Sequence, residues 1–259
     1  MIATIRNAIN MATADISIIS NNLANSNSTG FKRSDGNFLH SYAEETSRPG
    51  LNIGFGVVYE EPRRQHHGQG AMRVTNNSLD VAVNGSGMFM TYNPKDDTTA
   101  YTRDGSFLLD KTGNLITTDG RRVLNQQFEA IVIPPTKIDS FGKDTLVETI
   151  AIRDNGRIQI TYGDGTTNQV GQFGLARFAN HAGLKPSGGG FFKDTAKSGP
   201  PIVGVPVQDN FGQLVQGHLE ASNTDMTDEL TKLMRAQQAF SGSSRLLQAA
   251  ADVTKRLIG

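Results

Sequence analysis

The five histidines are the side chains with the most obvious capacity for metal binding or acid–base chemistry. They are His40, His66, His67, His181 and His218. No two of them form a His-Glu-x-x-His pair, and the adjacent His66 and His67 would point to opposite sides of a strand. Their spacing gives no support for a shared metal ion, and we expect no metal site.

Glycine pairs and acidic pairs mark the other segments where chemistry is conceivable. Gly85-Ser-Gly87 and Gly163-Asp-Gly165 both lack the third glycine of a dinucleotide fingerprint, and hairpin turns account for both. The run from Asp110 to Asn114 lacks the alternating oxygen ligands and the closing glutamate of a calcium loop, so a β-turn is predicted there. The pairs Glu44-Glu45 and Asp96-Asp97 leave a carboxylate-based hydrolase open, although adjacent acids on a polar loop are usually only solvated. We expect no enzyme activity and no cofactor.

Composition excludes several classes of partner and site. The chain has 259 residues, with 25 basic and 25 acidic side chains, so its formal net charge is zero. This balance argues against nucleic acid or an anionic membrane as a partner. The absence of cysteine excludes disulfides, thiolate metal sites and a cysteine nucleophile. No apolar run approaches the length of a membrane span, and residues 2–19 lack the apolar core of a secretory signal.

Glycine and proline divide the chain into helical ends and a β-rich middle. All nine prolines lie between Pro49 and Pro206, and 25 of the 28 glycines lie in residues 36–218. These are the residues that a helix interior tolerates worst. The two ends are therefore free to form helices, whereas the middle is not.

Apolar residues recur in alternating steps of three and four at both ends, which predicts a coiled-coil-like seam on each helix. The N-terminal seam consists of Ile2, Ile5, Ile9, Ala12, Ile16, Ile19 and Leu23. The apolar positions of the C-terminal seam are Met226, Leu230, Leu233, Phe240, Leu247, Ala251 and Ile258. Each seam needs a partner, because an isolated helix of this length is marginal in water. Periodicity leaves two alternatives open: the helices pair within one subunit, or they bury their seams between the subunits of a polymer.

Short apolar runs separated by Asn-Gly and Asp-Gly turns predict strands throughout the middle. The predicted strands are 56–60, 71–75, 79–83, 87–92, 106–110, 115–117, 130–133, 149–153, 157–161 and 170–178. Their spacing suits an antiparallel barrel or sandwich, and residues 183–206 are predicted to be extended loop. The predicted fold class is α+β. Residues 1–36 and 213–259 would form a terminal helical polymerisation domain, and residues 37–212 a central β domain that begins with a linker at about 37–56.

The segment from Asn21 to Arg33 resembles the signature of the bacterial flagellar rod and hook family. The residues that match the signature are Asn22, Leu23, Ala24, Asn25, Thr29, Gly30, Phe31 and Lys32. Three further stretches, at 69–89, 100–107 and 217–223, resemble the rod branch of that family. The matching segments are long, occur in the family's order and span nearly the whole chain.

The resemblance implies paired terminal helices that form an inner tube domain, with a β domain outside it. It implies a subunit of the periplasmic rod whose seams pack between subunits of a helical homopolymer, and export through the flagellar type III apparatus without a cleaved signal. The implied partners are other rod proteins, the hook protein and the surrounding periplasmic and outer-membrane ring proteins, with no nucleic acid and no membrane insertion. Both the distal and the proximal rod branches remain open, and the motifs at 69–107 and 217–240 lie closer to the distal one.

Two other classes stay open on the residues alone. One is a secreted β-sandwich binding module whose terminal helices cap it, and the other is a hydrolase that uses scattered carboxylates. The hook protein is a further possibility within the flagellar family. The segment from Ser41 to Gly56, with Phe31, Phe38 and Tyr42 as nearby apolar anchors, is interpreted as a subunit contact that stiffens the assembly.

Overall fold

Along the chain, a long helix lies at each end and a series of strands lies between them. The computed structural model describes residues 2–42, 54–138 and 144–258. Its contacts divide the chain into two units. The helical unit comprises Met1–Ser26, Arg33–His66 and Thr224–Gly259, and the β unit comprises Asn27–Lys32 and His67–Asn223.

The helical unit contains helices α1 (Ile2–Ala24) and α2 (Met226–Ile258) and strands β1 (Ser34–Tyr42) and β2 (Gly54–Gln65). The helices run antiparallel, because Asn22 near the end of α1 is hydrogen-bonded to Glu229 near the start of α2. The two helices are in contact with each other within one chain.

Strands β1 and β2 pair antiparallel, with Ser34 opposite Gln65 and Leu39 opposite Val58. The sequence predicted a strand only at 56–60, because residues 34–42 carry few apolar side chains. Residues 43–53 of the predicted contact segment Ser41–Gly56 lie outside the described residues, so its role stays a prediction.

The ends of the helices are capped by side chains of the types that prefer these positions. The Asp225 carboxylate accepts hydrogen bonds from the backbone N–H groups of Thr227 and Asp228, at 2.8 and 3.2 Å. An aspartate at this position satisfies backbone donors that the first turn of a helix leaves unpaired. At the end of α1, the Asn25 amide donates to the carbonyl of Asn21 at 2.9 Å. These caps fix where α1 ends and where α2 begins.

The β unit consists of antiparallel strands that join through short turns. Its strands are β3 (Met72–Val74), β4 (Val81–Asn84), β5 (Met88–Asn93), β6 (Thr98–Thr102), β7 (Phe107–Leu109), β8 (Leu115–Thr117), β9 (Arg122–Val123), β10 (Thr136–Ile138), β11 (Asp144–Ile152), β12 (Arg157–Tyr162), β13 (Thr167–Gln172), β14 (Leu175–Arg177), β15 (Lys185–Gly188), β16 (Phe191–Lys193), β17 (Ile202–Gly204), β18 (Gln213–Gln216) and β19 (His218–Glu220). The largest sheet runs in the order β15-β16-β6-β5-β9-β8-β7, with β14 pairing both β5 and β17. A second sheet has the order β10-β11-β12-β13, and the pairs β4–β18 and β3–β19 complete the unit.

A cluster of phenylalanines lies at the centre of the β-unit core. The rings of Phe89 and Phe107 meet edge to face with centroids 5.0 Å apart, and the ring of Phe173 lies 5.8 Å from each. Such contacts stabilise by about 0.5–1.5 kcal/mol beyond the area they bury. Ile158 and Ile160 of β12 are fully buried against this cluster. The α+β class and the antiparallel arrangement predicted from the sequence are confirmed.

Three sequence predictions about the strands differ from the structure. Residues 130–133 form only two isolated bridges, Leu124 to Ala130 and Asn114 to Val132. The predicted strand 170–178 is divided between β13 and β14, which belong to different sheets. Between these strands, Gly174 lies too close to the backbone of Asn125 and Gln126 for any side chain. The prediction of extended loop at 183–206 is wrong, since β15, β16 and β17 lie there.

Two further features of the described residues bear on function. The run from Asp110 to Asn114 is a turn, as predicted, closed by a 3.0 Å hydrogen bond from the Asp110 N–H to the Asn114 carbonyl. Neither helix, in the part of the chain that the structure describes, has the length and apolarity needed to cross a membrane.

Candidate assembly site

The N-terminal seam faces the interior of the helical unit. Ala12 and Ile19 are buried, and the intervening Ile16 is half-buried. Ile5, Ile9 and Leu23 are also half-buried, whereas the side chain of Ile2 lies outside the described part. Ile18, which the seam pattern does not include, is buried as well. The wide apolar stripe on α1 reflects its contacts with α2 and with strands β1 and β2.

The C-terminal seam is only partly covered within one chain. Leu233 and Leu247 are half-buried. Met226, Leu230, Phe240 and Ala251 are exposed, and the side chain of Ile258 lies outside the described part. The most buried side chains of α2 are those of Glu229 and Ala236, at 1% and 8% exposure. The face of α2 that packs inward is therefore centred about one residue before the predicted seam.

Large apolar side chains remain exposed along the whole length of α2. They are Met226, Leu230, Met234, Phe240, Leu246 and Val253, hereafter the exposed apolar residues of α2. Leu246, Val253 and Met234 are the most exposed, at 61%, 58% and 57%. A helix with apolar residues on several sides is typical of one that is covered on several sides.

Asn22 is the signature residue that joins three elements of the helical unit. Its side-chain amide donates to the Ser34 carbonyl at 2.8 Å and to the Glu229 carboxylate at 3.1 Å. Its side-chain oxygen accepts from the Ser34 N–H at 2.9 Å. Glu229 also forms an ion pair with Lys232 at 2.7 Å. Asn22 is 1% exposed, and its three hydrogen bonds fix the end of α1 against both β1 and the first turn of α2.

A groove in the helical unit lies beside Asn22. It has a volume of about 360 Å³ and is lined by Asp15, Asp35, Lys232 and Arg235 together with apolar side chains of both helices. Burial raises the pKa of the Asp15 carboxyl above its usual range. The groove brings charges of both signs next to the end of the N-terminal seam.

Gly30 and Phe31 hold the second part of the signature in place within the β unit. The Gly30 N–H donates to the Glu220 carbonyl at 2.8 Å, and the Phe31 carbonyl accepts from the Asn223 N–H at 3.3 Å. Gly30 has a positive φ of 66°, and a β-carbon there would lie 2.6 Å from the Asp104 nitrogen. Glycine is therefore required at this position both for its backbone angles and for space. Leu23 and Thr29 are half-buried, and Ala24 is exposed at the end of α1.

Lys32, the last residue of the signature, belongs to a buried ionic cluster of the β unit. Its ammonium lies 2.5 Å from one carboxylate oxygen of Glu220, and the other oxygen lies 3.2 Å from the Arg103 guanidinium. The Gly70 N–H donates to the same carboxylate at 2.8 Å. Lys32 and Glu220 are 2% and 0% exposed. Burial lowers the pKa of the Lys32 ammonium, and the negative charge of Glu220 opposes that effect.

The junction cluster, formed by Lys32, Arg103 and Glu220, fixes two chain segments side by side. One segment follows α1 and ends at Lys32, and the other precedes α2 and contains Glu220. The backbone hydrogen bonds of Gly30 and Phe31 join the same two segments. Within the β unit, the cluster therefore holds the segment that follows α1 beside the segment that precedes α2.

Sequence reasoning identified Lys32 but missed Arg103 and Glu220. Both lie in stretches that carry the family resemblance, Arg103 within 100–107 and Glu220 within 217–223. Arg103 is the only basic residue of its stretch, and Glu220 is the only acidic residue of its own stretch. This is the available signal, and only the tertiary structure shows that the two side chains meet. Among the described residues, no group of histidine, aspartate and glutamate side chains is arranged to hold a metal ion.

Comparison with known proteins gives a consistent family assignment. Residues 82–160 match the family described as "Flagellar hook protein FlgE/F/G D1 domain", and residues 215–259 match "Flagellar basal body rod FlgEFG protein C-terminal". The chain is 36% identical to the flagellar basal-body rod protein FlgG of Agrobacterium fabrum, over 92% of this chain and 90% of that protein. It is 32% identical to FlgG of Bacillus subtilis, over 94% and 92%. FlgF of Caulobacter vibrioides is 29% identical, over 94% of this chain and 90% of the relative.

Proposed function

The chain belongs to the flagellar basal-body rod protein FlgG family, and from this premise we propose that it polymerises through its two terminal helices. It is a structural protein of the flagellar basal-body rod, without enzymatic function, and it assembles with other flagellar axial proteins. The contact surface that we propose consists of the exposed apolar residues of α2, which include Met226, Leu230 and Phe240 of the C-terminal seam, together with the half-buried positions of the N-terminal seam.

The exposed apolar residues of α2 carry this proposal. Leu230, Met234 and Leu246 are 43%, 57% and 61% exposed within the described residues of one chain. Full burial of a large aliphatic side chain contributes about 1.5–3 kcal/mol. A repeated head-to-tail contact that buries these side chains propagates as a helical polymer when its rotation does not close a ring.

The signature residues support a mechanical role for the same subunit. A shaft that transmits torque needs helices whose ends are firmly held. Asn22 holds the end of α1 through three hydrogen bonds within the helical unit, and the junction cluster holds both connecting segments within the β unit. Buried, hydrogen-bonded polar groups resist displacement, because separating them leaves unpaired groups in a low-dielectric interior.

We propose that the chain belongs to the distal-rod branch, of which FlgG is the type. The supporting observation is that several FlgG relatives are 32–36% identical to it, whereas FlgF of Caulobacter vibrioides is 29% identical. The proposed neighbours are further copies of this chain, other rod proteins, the hook protein and the surrounding ring proteins. The proposed export route is the flagellar type III apparatus.

Charged substitutions on α2 test the assembly contact. Leu230→Glu with Met234→Glu places two charges at positions that are exposed in one chain, so the stability of the dilute protein should change by less than about 1 kcal/mol. In a polymer contact the same charges are buried without partners, at a cost of several kcal/mol. We expect loss of swimming and absence of complete rods in electron micrographs of isolated basal bodies.

Two controls show whether a loss of swimming results from failed assembly or from another cause. Gln238→Glu with Gln248→Glu adds the same two charges at exposed polar positions of α2 and should leave swimming intact. The amount of each variant exported should equal that of the wild type, which shows that export is unaffected. Normal rods and normal swimming in the double variant would refute the proposed contact.

A further inference from the structure

A cavity of the β unit is lined by cations and imidazoles. Its volume is about 430 Å³, and its walls include Lys32, Arg103, His67, His181 and Ser86. Among the described residues that line it, none is an aspartate or a glutamate. His181 reaches the cavity from the short 3₁₀ turn His181–Gly183. A wall of this composition favours a negatively charged occupant.

The charges around the cavity do not cancel. Lys32 and Arg103 supply two positive charges, and Glu220 of the junction cluster supplies one negative charge. The two oxygens of Glu220 already accept hydrogen bonds from Lys32, Arg103 and the Gly70 N–H. Buried charges are normally paired, so the excess positive charge is an unusual feature.

Both cations retain hydrogen-bonding capacity. The described contacts of the Lys32 ammonium, to Glu220 and to the Gly68 carbonyl, use two of its three N–H groups. The Arg103 guanidinium donates to Glu220 and to the carbonyls of Val83 and Gly85, which leaves N–H groups for a further acceptor.

His67 adds an imidazole whose polar atoms are buried. Among the described residues, neither ring nitrogen has a hydrogen-bond partner of ordinary geometry. The nearby backbone of His181 raises the pKa of the His67 imidazole, but this is the smallest of the effects on that pKa. The ring lies 5.7 Å from that of His181 and 5.2 Å from that of Phe192. Burial, followed by the charges of His181, Lys32 and Arg103, lowers the pKa of His67 to about 4. Burial and the charges of Arg103 and Arg177 also lower the pKa of His181.

We propose that this cavity binds an oxyanion, a carboxylate or a phosphate group, with Lys32, Arg103, His67 and His181 as its hydrogen-bond donors. The occupant is either a free anion or the carboxylate of an acidic side chain from a neighbouring subunit. Only the second source rests on the proposed polymer. The site itself is a property of the single chain.

Histidine NMR on the dilute, full-length chain tests the site directly. Inorganic phosphate is titrated at pH 7 and at constant ionic strength, while the imidazole signals are followed. The signals of His67 and His181 should shift together and reach saturation, whereas that of His218 should not move. Between pH 7 and pH 4, phosphate stays anionic and should raise the pKa of His67 by about 1 unit for each tenfold preference for the protonated ring.

Variants that spare the junction cluster locate the binding. His67→Leu and His181→Leu each remove one donor without disturbing Lys32, Arg103 or Glu220, and each should weaken phosphate binding several-fold. His218→Gln is the matched control and should bind as the wild type does. A wild-type chain whose imidazole signals do not shift to saturation, or a His67→Leu chain that binds phosphate as well as the wild type, would overturn the proposal.

Polymerisation distinguishes the two sources of the anion. If a neighbouring carboxylate fills the cavity, phosphate competes with it and slows assembly relative to chloride at the same ionic strength. If a free anion fills the cavity, phosphate does not slow assembly. This comparison identifies the source of the anion. The existence of the site is decided by phosphate binding to the dilute protein, which does not depend on which surfaces form the polymer.

Discussion

At Gly30 the backbone of the signature segment lies against the backbone of a second chain segment. A β-carbon at this position would come within 2.6–2.7 Å of backbone atoms of Asp104 and Arg103. Backbone atoms cannot move aside as the end of a flexible side chain can. The position of this glycine therefore determines how closely the segment before Lys32 approaches the rest of the β unit.

Gly30→Ala should destabilise the β unit more than glycine replacement at an open site does. Gly165→Ala is the matched control, because Gly165 also has a positive φ, 78°, but nothing lies within 4 Å of its β-position. The free energy of unfolding of the control should fall by about 1–2 kcal/mol from backbone strain alone. Gly30→Ala should lose at least about 1–3 kcal/mol more from the steric overlap. Urea unfolding followed by circular dichroism measures both, and equal losses would show that the close approach is not rigid.

The signature residues show what the sequence can and cannot predict about the site. The resemblance identified Asn22, Gly30 and Lys32 from their spacing. It did not indicate that Lys32 is buried, because Lys32-Arg33 resembles an ordinary solvated basic pair. The partners that stabilise Lys32 are Arg103 and Glu220, which are distant in sequence. Burial of a charge is decided by such distant partners, and one sequence does not show which charges meet.

The prediction of whole helices and strands is limited in the same way, because it too depends on contacts that one sequence does not show. The seam periodicity correctly predicted two terminal helices, but the inward face of α2 is centred near Glu229 and Ala236 rather than on the predicted positions. Glu229 is buried because it bonds to Asn22 and Lys232. A pattern of apolar residues does not reveal an inward face that contains a glutamate. Strand β1 was missed for a related reason, since its pairing with β2 does not depend on a strong apolar pattern.

The last turns of α2 extend beyond its partner. Helix α2 has 33 residues and α1 has 23. The helices are antiparallel and α2 begins near the end of α1, so its final residues pass the start of α1. All side chains of residues 251–256 are exposed. In the proposed polymer this overhang packs on a neighbouring subunit.

Ending the chain at Ala250 tests the role of the overhang. Removal of residues 251–259 takes away no buried side chain of the described part, so the thermal stability of the dilute chain should change by no more than about 1 kcal/mol. Rod assembly and swimming should be lost. Val253→Gln in the full chain is a milder variant that keeps the helix length and should weaken assembly only partly. A truncated chain that still forms normal rods would show that the overhang makes no necessary contact.

At the scale of the whole molecule, the distribution of glycine and proline predicted the main division of the chain. Glycine and proline confine the helices to the two ends of the chain, and the Asn-Gly and Asp-Gly turns indicate antiparallel strands between them. Strand pairing is less predictable, because β5 pairs not only with β6, which follows it after a short turn, but also with β9 and β14, which lie far along the chain. The three strands within residues 183–206 were not predicted, because they are short and alternate with glycine-rich turns. Phe191 and Phe192, which lie in one of these strands, are buried.

The central claim is that side chains left exposed on α2 become buried between subunits of the rod. The chain contains no cysteine, so a single introduced thiol can be labelled without background. Leu246→Cys and Met234→Cys place thiols at two of the most exposed apolar positions, and Lys95→Cys places one in an exposed turn of the β unit as a control.

Maleimide labelling of these variants in dilute protein and in isolated basal bodies is the most direct test of that claim. We predict that all three thiols react rapidly in the dilute chain. In assembled rods, those at positions 246 and 234 should react at least an order of magnitude more slowly, while the thiol at position 95 stays reactive. Equally rapid labelling at positions 246 and 234 in both states would contradict the account.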